Sequence, residues 1–133
     1  MIIDNIRSII ITISSLISDV SAVERIILTS LDNDKAEQIS LINLQGKTDF
    51  ADAMIIADGR SSRHVASMAD KIADQLKQEG IPILGVEGTE TCDWVLIDVG
   101  DVVVHLFKPG IRDIYQLDKM WSRMVPDVEV MHV

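Results

Sequence analysis

Apolar residues recur along the chain with two kinds of spacing, and each kind predicts one type of element. Steps of three and four residues place apolar side chains on one side of a helix, whereas short continuous apolar runs are typical of buried strands. The first pattern predicts three helices: Ser21–Leu31, the stretch between Ser62 and Gly80, and Ile111–Trp121. Ser61 or Ser62 is suited to cap the start of the second helix, and Gly80 to end it.

The second pattern predicts five strands, each a short apolar run bounded by turn residues. They are Ile39–Leu44, Ala53–Ala57, Ile83–Val86, Trp94–Asp98 and Val102–Phe107. The resulting order is strand–strand–helix–strand–strand–strand–helix. We therefore expect an α/β fold, a mixed five-stranded sheet with flanking helices.

A separate apolar stripe precedes these elements. Its members step by three and four residues: Ile3, Ile6, Ile10, Ile13, Ile17 and Val20. The stripe predicts an N-terminal helical extension over residues 1–22, ahead of a main domain over residues 23–122 and a tail over residues 123–133. Two roles stay open for the extension, which either packs on its own domain or forms a seam for self-association.

The same stretch is not expected to enter a membrane. Its most apolar part, Ile9–Ile17, is far shorter than the ~20 residues of a membrane span, and Ser and Thr interrupt it. No positively charged leader and no small-residue cleavage site accompany it, which argues against a secretory signal. Cys92 is the single cysteine, so no intrachain disulfide forms. These features favour a cytoplasmic protein.

Charge narrows the class of partner. The 133 residues include 12 Lys and Arg against 21 Asp and Glu, giving a net charge of −9. Nucleic-acid affinity depends on cationic side chains that displace counterions, so direct DNA or RNA binding is disfavoured. A basic protein partner fits this charge, and so does the simpler interpretation that the charge serves solubility.

The sequence contains little that indicates a metal or cofactor site. The three histidines, His64, His105 and His132, do not occur at the spacing of zinc ligands. No glycine-rich phosphate-binding motif is present either. We therefore expect no cofactor and no metal.

The most informative segment is Asp93–Lys108, two apolar runs joined by Val99-Gly100. A two-residue turn is expected there, with glycine supplying a positive φ. This turn sets three pairs opposite each other: Asp98–Asp101, Leu96–Val103 and Trp94–His105. The expected element is a β-hairpin.

Alternation along the two strands divides the hairpin into two unlike faces. One face is aliphatic and belongs in the core: Val95, Ile97, Val102, Val104 and Leu106. The other carries aromatic rings, a histidine and carboxylates: Trp94, Leu96, Asp98, Asp101, Val103, His105 and Phe107. Two interpretations of this second face stay open. Either it is an exposed docking surface with aromatic anchors, or a helix covers it and His105 is a half-buried residue with its hydrogen bonds satisfied.

An enzymatic alternative starts from the loop Asp58–Ser62, which joins a strand to a helix. Helix N-termini favour anions, and carboxylates can hold magnesium. The alternative function is a magnesium-dependent nucleotidyl- or phosphoryl-transferring enzyme that uses Asp58, Ser61 and Asp98. A plain dimerisation module is a third candidate.

Residues 31–121 resemble the ribosomal silencing factor family, also called the Iojap family. Six stretches carry the resemblance: Lys35–Glu37, Asp49–Gly59, Ser62–Val65, Gly85–Gly88, Trp94–Phe107, and Tyr115 with Leu117 and Trp121. Their order and spacing match over about two thirds of the chain. Each stretch alone is weak evidence for the family, but the six together are specific for it.

The resemblance implies a nucleotidyltransferase-like α/β fold without demonstrated transferase chemistry. It implies binding to the large ribosomal subunit through the basic protein numbered fourteen, which blocks joining of the small subunit and represses translation when nutrients are scarce. It also implies a homodimer. The expected protein-binding residues are Trp94, His105, Phe107 and Tyr115 as anchors, with Asp98 and Asp101 as partners for Lys or Arg.

The chain also departs from the family pattern. Aromatic residues are usual where Ala53 and Met54 stand, a basic residue where Asp93 stands, and often Tyr where Val99 stands. These differences leave the expected fold unchanged but alter the expected contact surface near Asp93.

Overall fold

The computed structural model describes residues 22–112 and 129–133. Helix α1 spans Ala22–Asn33 and helix α2 spans Ser62–Gln78. Ser61 caps α2, since its side chain accepts a hydrogen bond from the backbone N–H of His64 at 3.1 Å. The cap predicted from the sequence is confirmed, and Gly80 follows the helix with a φ of +70°.

The strands form one six-stranded mixed sheet. Their bounds are Glu37–Asn43 for β1, Ala53–Asp58 for β2, Gly85–Glu87 for β3, Trp94–Asp98 for β4, Val102–Phe107 for β5 and Glu129–His132 for β6. The order across the sheet is β3-β4-β5-β2-β1-β6. Only β2 and β5 are parallel neighbours in this order; every other adjacent pair is antiparallel.

The predicted α/β class and mixed sheet are confirmed, but the predicted number of five strands is wrong. The sixth strand, β6, lies in the tail that the sequence left without structure. It pairs with β1 in antiparallel register, with Ile42 opposite Val130. The backbone N–H of Val133 also donates to the carbonyl of Ile39 at 2.8 Å. Four residues are too few to show a period, and their pairing partner lies some ninety positions away.

Side chains fill both faces of the sheet. Helices α1 and α2 pack on one face, where Ile27, Leu31, Met68 and Ile72 meet the aliphatic side chains of the central strands. The opposite face carries a second, smaller buried cluster: Ile42, Leu44, Met54, Ile56 and Phe107. Successive residues of β2 belong to the two clusters in turn, because successive side chains of a strand point to opposite faces.

Four predictions lie wholly or partly outside the described residues, including the tail over residues 123–133. The N-terminal stripe from Ile3 to Val20 and the anchor Tyr115 are among them. Of the helix expected over Ile111–Trp121, only residues 111 and 112 are described.

Candidate protein-binding surface

The β4–β5 hairpin has the predicted strands in a different register. Both strands begin and end where the sequence placed them, at Trp94–Asp98 and Val102–Phe107. However, Trp94 lies opposite Phe107, and Asp98 lies opposite Val103. The predicted pairings of Trp94 with His105 and of Asp98 with Asp101 are therefore wrong.

The turn explains the shift. Val99 donates its backbone N–H to the carbonyl of Val102 at 2.9 Å, so the two turn residues are Gly100 and Asp101. Gly100 takes the first turn position with a φ of +90°, a conformation that glycine adopts without strain. Asp98 Oδ1 accepts the N–H of Gly100 at 2.9 Å and so stabilises this turn. As a result, the two carboxylates do not face each other across the ladder.

The division of the hairpin into two faces survives the shift, because the register moves by two positions. All five residues of the predicted aliphatic face are buried in the cluster beneath the helices: Val95, Ile97, Val102, Val104 and Leu106. This prediction is confirmed.

The second face is more deeply buried than an exposed docking surface would be. Phe107 is 0% exposed and His105 is 6% exposed, whereas Trp94 is half-buried. The expectation that Phe107 and His105 are exposed anchors is wrong. The physical reason is the packing on this face of the sheet, where Phe107 joins one buried cluster with Ile56 of β2 and where Ile111, just past β5, packs against that cluster.

Trp94 is held in place by the two buried rings. Its Nε1–H donates to Nδ1 of His105 at 2.9 Å, and its ring centroid lies 5.2 Å from that of Phe107. The backbone leading to Trp94 is equally constrained, since a Cβ atom on Gly88 would sit 2.0 Å from the Trp94 carbonyl oxygen. The structure thus presents part of one indole at a fixed position.

Burial fixes the protonation state of His105. Loss of solvation lowers the pKa of its imidazole from 6.5 to about 4. The ring is therefore neutral at physiological pH. Its Nδ1 accepts from Trp94, which places the ring proton on Nε2.

This protonation state predicts a loss of stability in acid. Between pH 6.5 and about 4 the unfolded chain binds a proton at His105 and the folded chain does not, so the free energy of unfolding falls as the pH falls. The expected loss between pH 7 and pH 4 is about 3 kcal/mol. Urea denaturation at both pH values measures it.

The control for this measurement is His105→Gln, whose side-chain oxygen can accept the Trp94 N–H but does not titrate. Other groups titrate in both proteins, so the difference between the two losses belongs to His105. An equal loss in the variant would contradict the assignment.

The two carboxylates of the expected surface lie at the other end of the hairpin. Asp98 is half-buried and bonded to Gly100, whereas Asp101 is exposed in the turn. Across residues 22–112 and 129–133, the Asp101 side chain makes no ion pair. Four residue steps separate Trp94 from Asp98, about 13 Å along the strand.

The residues of the enzymatic alternative do not converge. Asp58 ends β2 beside Phe107 and is paired with Arg112 at 3.4 Å, and Ser61 caps α2. Asp98 lies at the opposite end of the sheet, where it bonds the Gly100 N–H. No group of three or more His, Cys, Asp or Glu side chains suited to a metal ion occurs in the described parts of the chain.

A buried polar cluster surrounds Arg112, and no sequence pattern predicted it. Its guanidinium donates to Ser40 Oγ at 2.7 Å, to the carbonyl of Gln38, and to Asp58. Gln38 has a φ of +49°, and the β1 ladder is irregular between Glu37 and Ser40. A positive φ in a strand has no clear sequence signature when the residue is not glycine.

Ser40 also lies 3.1 Å from His132 Nδ1, a pairing that resembles a nucleophile and its base. However, Ser40 is fully buried, and its oxygen is already engaged by Arg112. A substrate carbonyl cannot approach it. The contact instead ties β6 to β1.

Comparison with known proteins shows which family this chain resembles. A family model described as "Ribosomal silencing factor during starvation" matches residues 18–133. A ribosomal silencing factor from Zymomonas mobilis is 46% identical over 98 residues, 74% of each chain. One from Haemophilus influenzae is 37% identical over 101 residues, 76% of this chain and 99% of that relative.

Solved structures agree with this match. A crystal structure of a Chromobacterium violaceum protein superposes with a TM-score of 0.73 at 35% identity, covering 75% of this chain and 83% of that one. One from Bacillus halodurans gives 0.70 at 33% identity, covering 82% and 95%. Among the described residues, no helix is both long and apolar enough to cross a bilayer.

The mixed sheet and these likenesses place the chain in a class of ribosome-associated translation regulators, whose names describe regulatory factors rather than enzymes. More specifically, the chain belongs to the ribosomal silencing factor family.

Proposed function

We propose that this protein binds the large ribosomal subunit through a basic ribosomal protein, the one numbered fourteen, and thereby blocks the joining of the small subunit. The result is repression of translation under nutrient limitation. Binding alone accomplishes this, because a body that occupies the meeting face excludes the other subunit without making or breaking a bond.

The observation that carries the proposal is the fixed, partly exposed indole of Trp94. Interfaces draw most of their binding energy from a few aromatic or arginine anchors, and an anchor that is already ordered loses less entropy on binding. His105 and Phe107 supply that order, the first through the 2.9 Å hydrogen bond and the second through ring packing. They act as supports behind the anchor rather than as anchors themselves.

Charge supports a basic partner. The chain carries a net charge of −9, and Asp98 and Asp101 lie at the tip of the hairpin that bears Trp94. Opposite charges steer association and fix the orientation of docking. One relative is named for mitochondrial assembly of the ribosomal large subunit, and that name is compatible with a large-subunit partner.

The test is co-sedimentation with purified large subunits, with and without excess small subunits. We expect the protein to sediment with free large subunits. When protein is added before the small subunits, the yield of joined ribosomes should fall as its concentration rises. Full joining at saturating protein would overturn the proposal.

Removing the charge of Asp98 should weaken this binding. Asp98→Asn keeps an oxygen that accepts the Gly100 N–H, so the turn is preserved while the carboxylate charge is lost. We expect the affinity for large subunits to fall by about two- to fivefold and to depend less on salt.

Asp70→Asn is the matched control, because Asp70 is an exposed carboxylate on α2, away from the hairpin. Its variant should bind as the wild type does. Equal losses in the two variants would show that the effect is one of total charge and not of the hairpin tip.

A further inference from the structure

A small cavity lies between the first turn of α1 and the end of the sheet next to the hairpin turn. Its volume is about 200 Å³. Its walls come from four places in the chain: the start of α1, the end of β1, the start of β2, and the hairpin turn with the start of β5. The lining residues that matter to its chemistry are Glu24, Leu41, Asp52, Ala53, Asp101 and Val102.

Backbone hydrogen bonds hold two of the acidic residues side by side. The carbonyl of Asp101 accepts the N–H of Asp52 at 2.7 Å and the N–H of Ala53 at 3.1 Å. The carbonyl of Asp52 accepts the N–H of Leu44 at 2.8 Å. Both side chains are exposed, and within the described ranges neither carboxylate makes an ion pair. Both carboxylates contribute negative charge to the lining of the cavity.

The cavity is negative but not uniformly polar. Glu24 also lines the cavity but is only 8% exposed and already has an interaction partner, so the charge offered to an occupant comes from Asp52 and Asp101. No lysine or arginine is among the described lining residues. Leu41, Ala53 and Val102 belong to the helix-side core, so one wall is aliphatic. Asn43 and Gln45 add side-chain amides at the rim.

These properties define the occupant. The volume corresponds to about six or seven water molecules and is below the range of sites for drug-sized ligands. A long cationic side chain matches both walls, since its methylene stem packs on aliphatic surface while its charged end meets carboxylates. A metal ion would leave the aliphatic wall without a function, and the described residues contain no group of three ligands suited to one.

We infer that this cavity receives one lysine or arginine side chain of a partner protein. The inference rests on the proposed function, because a basic ribosomal protein is the source of that side chain. It adds a second point of attachment on the helix side of the hairpin tip, whereas Trp94 lies on the opposite side of β4. A partner that binds both the cavity and Trp94 contacts the hairpin on both of its faces.

The direct test is a titration with N-acetyl-arginine methylamide, followed by amide chemical shifts of the isotope-labelled full chain. We expect saturable shifts confined to the cavity, at Gly100, Val102 and Ala53, with half-saturation on the order of millimolar, as befits a single side chain. N-acetyl-norleucine methylamide has a similar stem without the charge and should leave these signals unchanged.

The variant for this titration is the double substitution Asp52→Asn and Asp101→Asn, with Asp70→Asn as its control. Both altered side chains are exposed, so thermal unfolding should stay close to that of the wild type. We expect the arginine response to weaken about five- to tenfold in the double variant and to persist in the control. An unchanged response in the double variant, or no local response in the wild type, would overturn the inference.

One further outcome concerns an occupant from within the chain. Arg7 is the only lysine or arginine among residues 1–21. If the wild type fails to respond and Arg7→Gln responds, the cavity serves this chain's own arginine and not a partner, which also overturns the inference.

Co-sedimentation with large subunits separates this inference from the proposed function. If the wild type sediments and the double variant binds about five- to tenfold more weakly, both are supported. If the double variant sediments as the wild type does, the cavity inference fails and the proposed function stands. If the wild type does not sediment, the proposed function fails, and the arginine titration alone decides whether the cavity binds a basic side chain.

Discussion

Replacing Trp94 by alanine is expected to weaken binding to the large ribosomal subunit about tenfold or more. Truncating a central aromatic anchor typically costs about 2 kcal/mol of binding free energy, and each 1.4 kcal/mol corresponds to a factor of ten. Trp94 is the aromatic residue of the hairpin that is only half-buried, so it is the ring that a partner can reach. Co-sedimentation across a range of large-subunit concentrations measures the loss.

The variant must be shown to remain folded, because Trp94 also packs against Phe107. A cooperative unfolding transition and an unchanged far-ultraviolet circular dichroism spectrum serve this purpose. Trp94→Phe is the graded control, since it keeps a ring but lacks the N–H that His105 accepts, and it should bind with intermediate affinity. An alanine variant that is folded and binds as tightly as the wild type would remove Trp94 from the interface.

The largest expected effect on stability comes from Phe107→Ala. Phe107 is 0% exposed and contributes the largest side chain of the buried cluster on the face opposite the helices. Truncating a fully buried phenylalanine typically costs about 3–5 kcal/mol, from lost transfer free energy and from the cavity that remains. Urea denaturation at pH 7 measures the change in the free energy of unfolding.

Leu84→Ala provides the comparison, because Leu84 is an apolar side chain that is 66% exposed. Its truncation should change the free energy of unfolding by less than about 0.5 kcal/mol. If Phe107→Ala were as mild as Leu84→Ala, the second buried cluster would not contribute to stability as the structure indicates. Phe107→Ala should also weaken subunit binding, since it removes the ring behind Trp94.

The sequence predicted the hairpin well where local rules decide. Val95, Ile97 and Val104 lie on one face by alternation, whereas the polar and aromatic residues lie on the other, and this correctly identified the core face. Ser61 and Gly80 likewise marked the ends of α2, because capping and a positive φ depend on a single residue. The ends of β4 and β5 were also predicted correctly, because the turn residues next to them are local in sequence.

Prediction failed where distant parts of the chain decide. The burial of Phe107 depends on side chains of β2, which is adjacent to β5 in the sheet but distant in sequence. Alternation predicts which face a side chain lies on but not how exposed it is. Strand β6 and the ion pair between Arg112 and Asp58 likewise join residues far apart in sequence. The predicted hairpin register was wrong because two turns, Val99-Gly100 and Gly100-Asp101, both include the glycine. The hydrogen bond that the Gly100 N–H donates to Asp98 Oδ1 stabilises the Gly100-Asp101 turn.

The contact between Trp94 and His105 also gives the molecule an optical reporter. The chain has two tryptophans, Trp94 and Trp121, so Trp121→Phe leaves a protein whose tryptophan emission comes from one indole. An imidazole that gains a proton quenches a neighbouring indole, and burial lowers the pKa of this ring to about 4. We therefore expect the emission to be insensitive to pH across the physiological range. A partner that covers the indole would then be detected as a change in emission wavelength, with no label attached to either molecule.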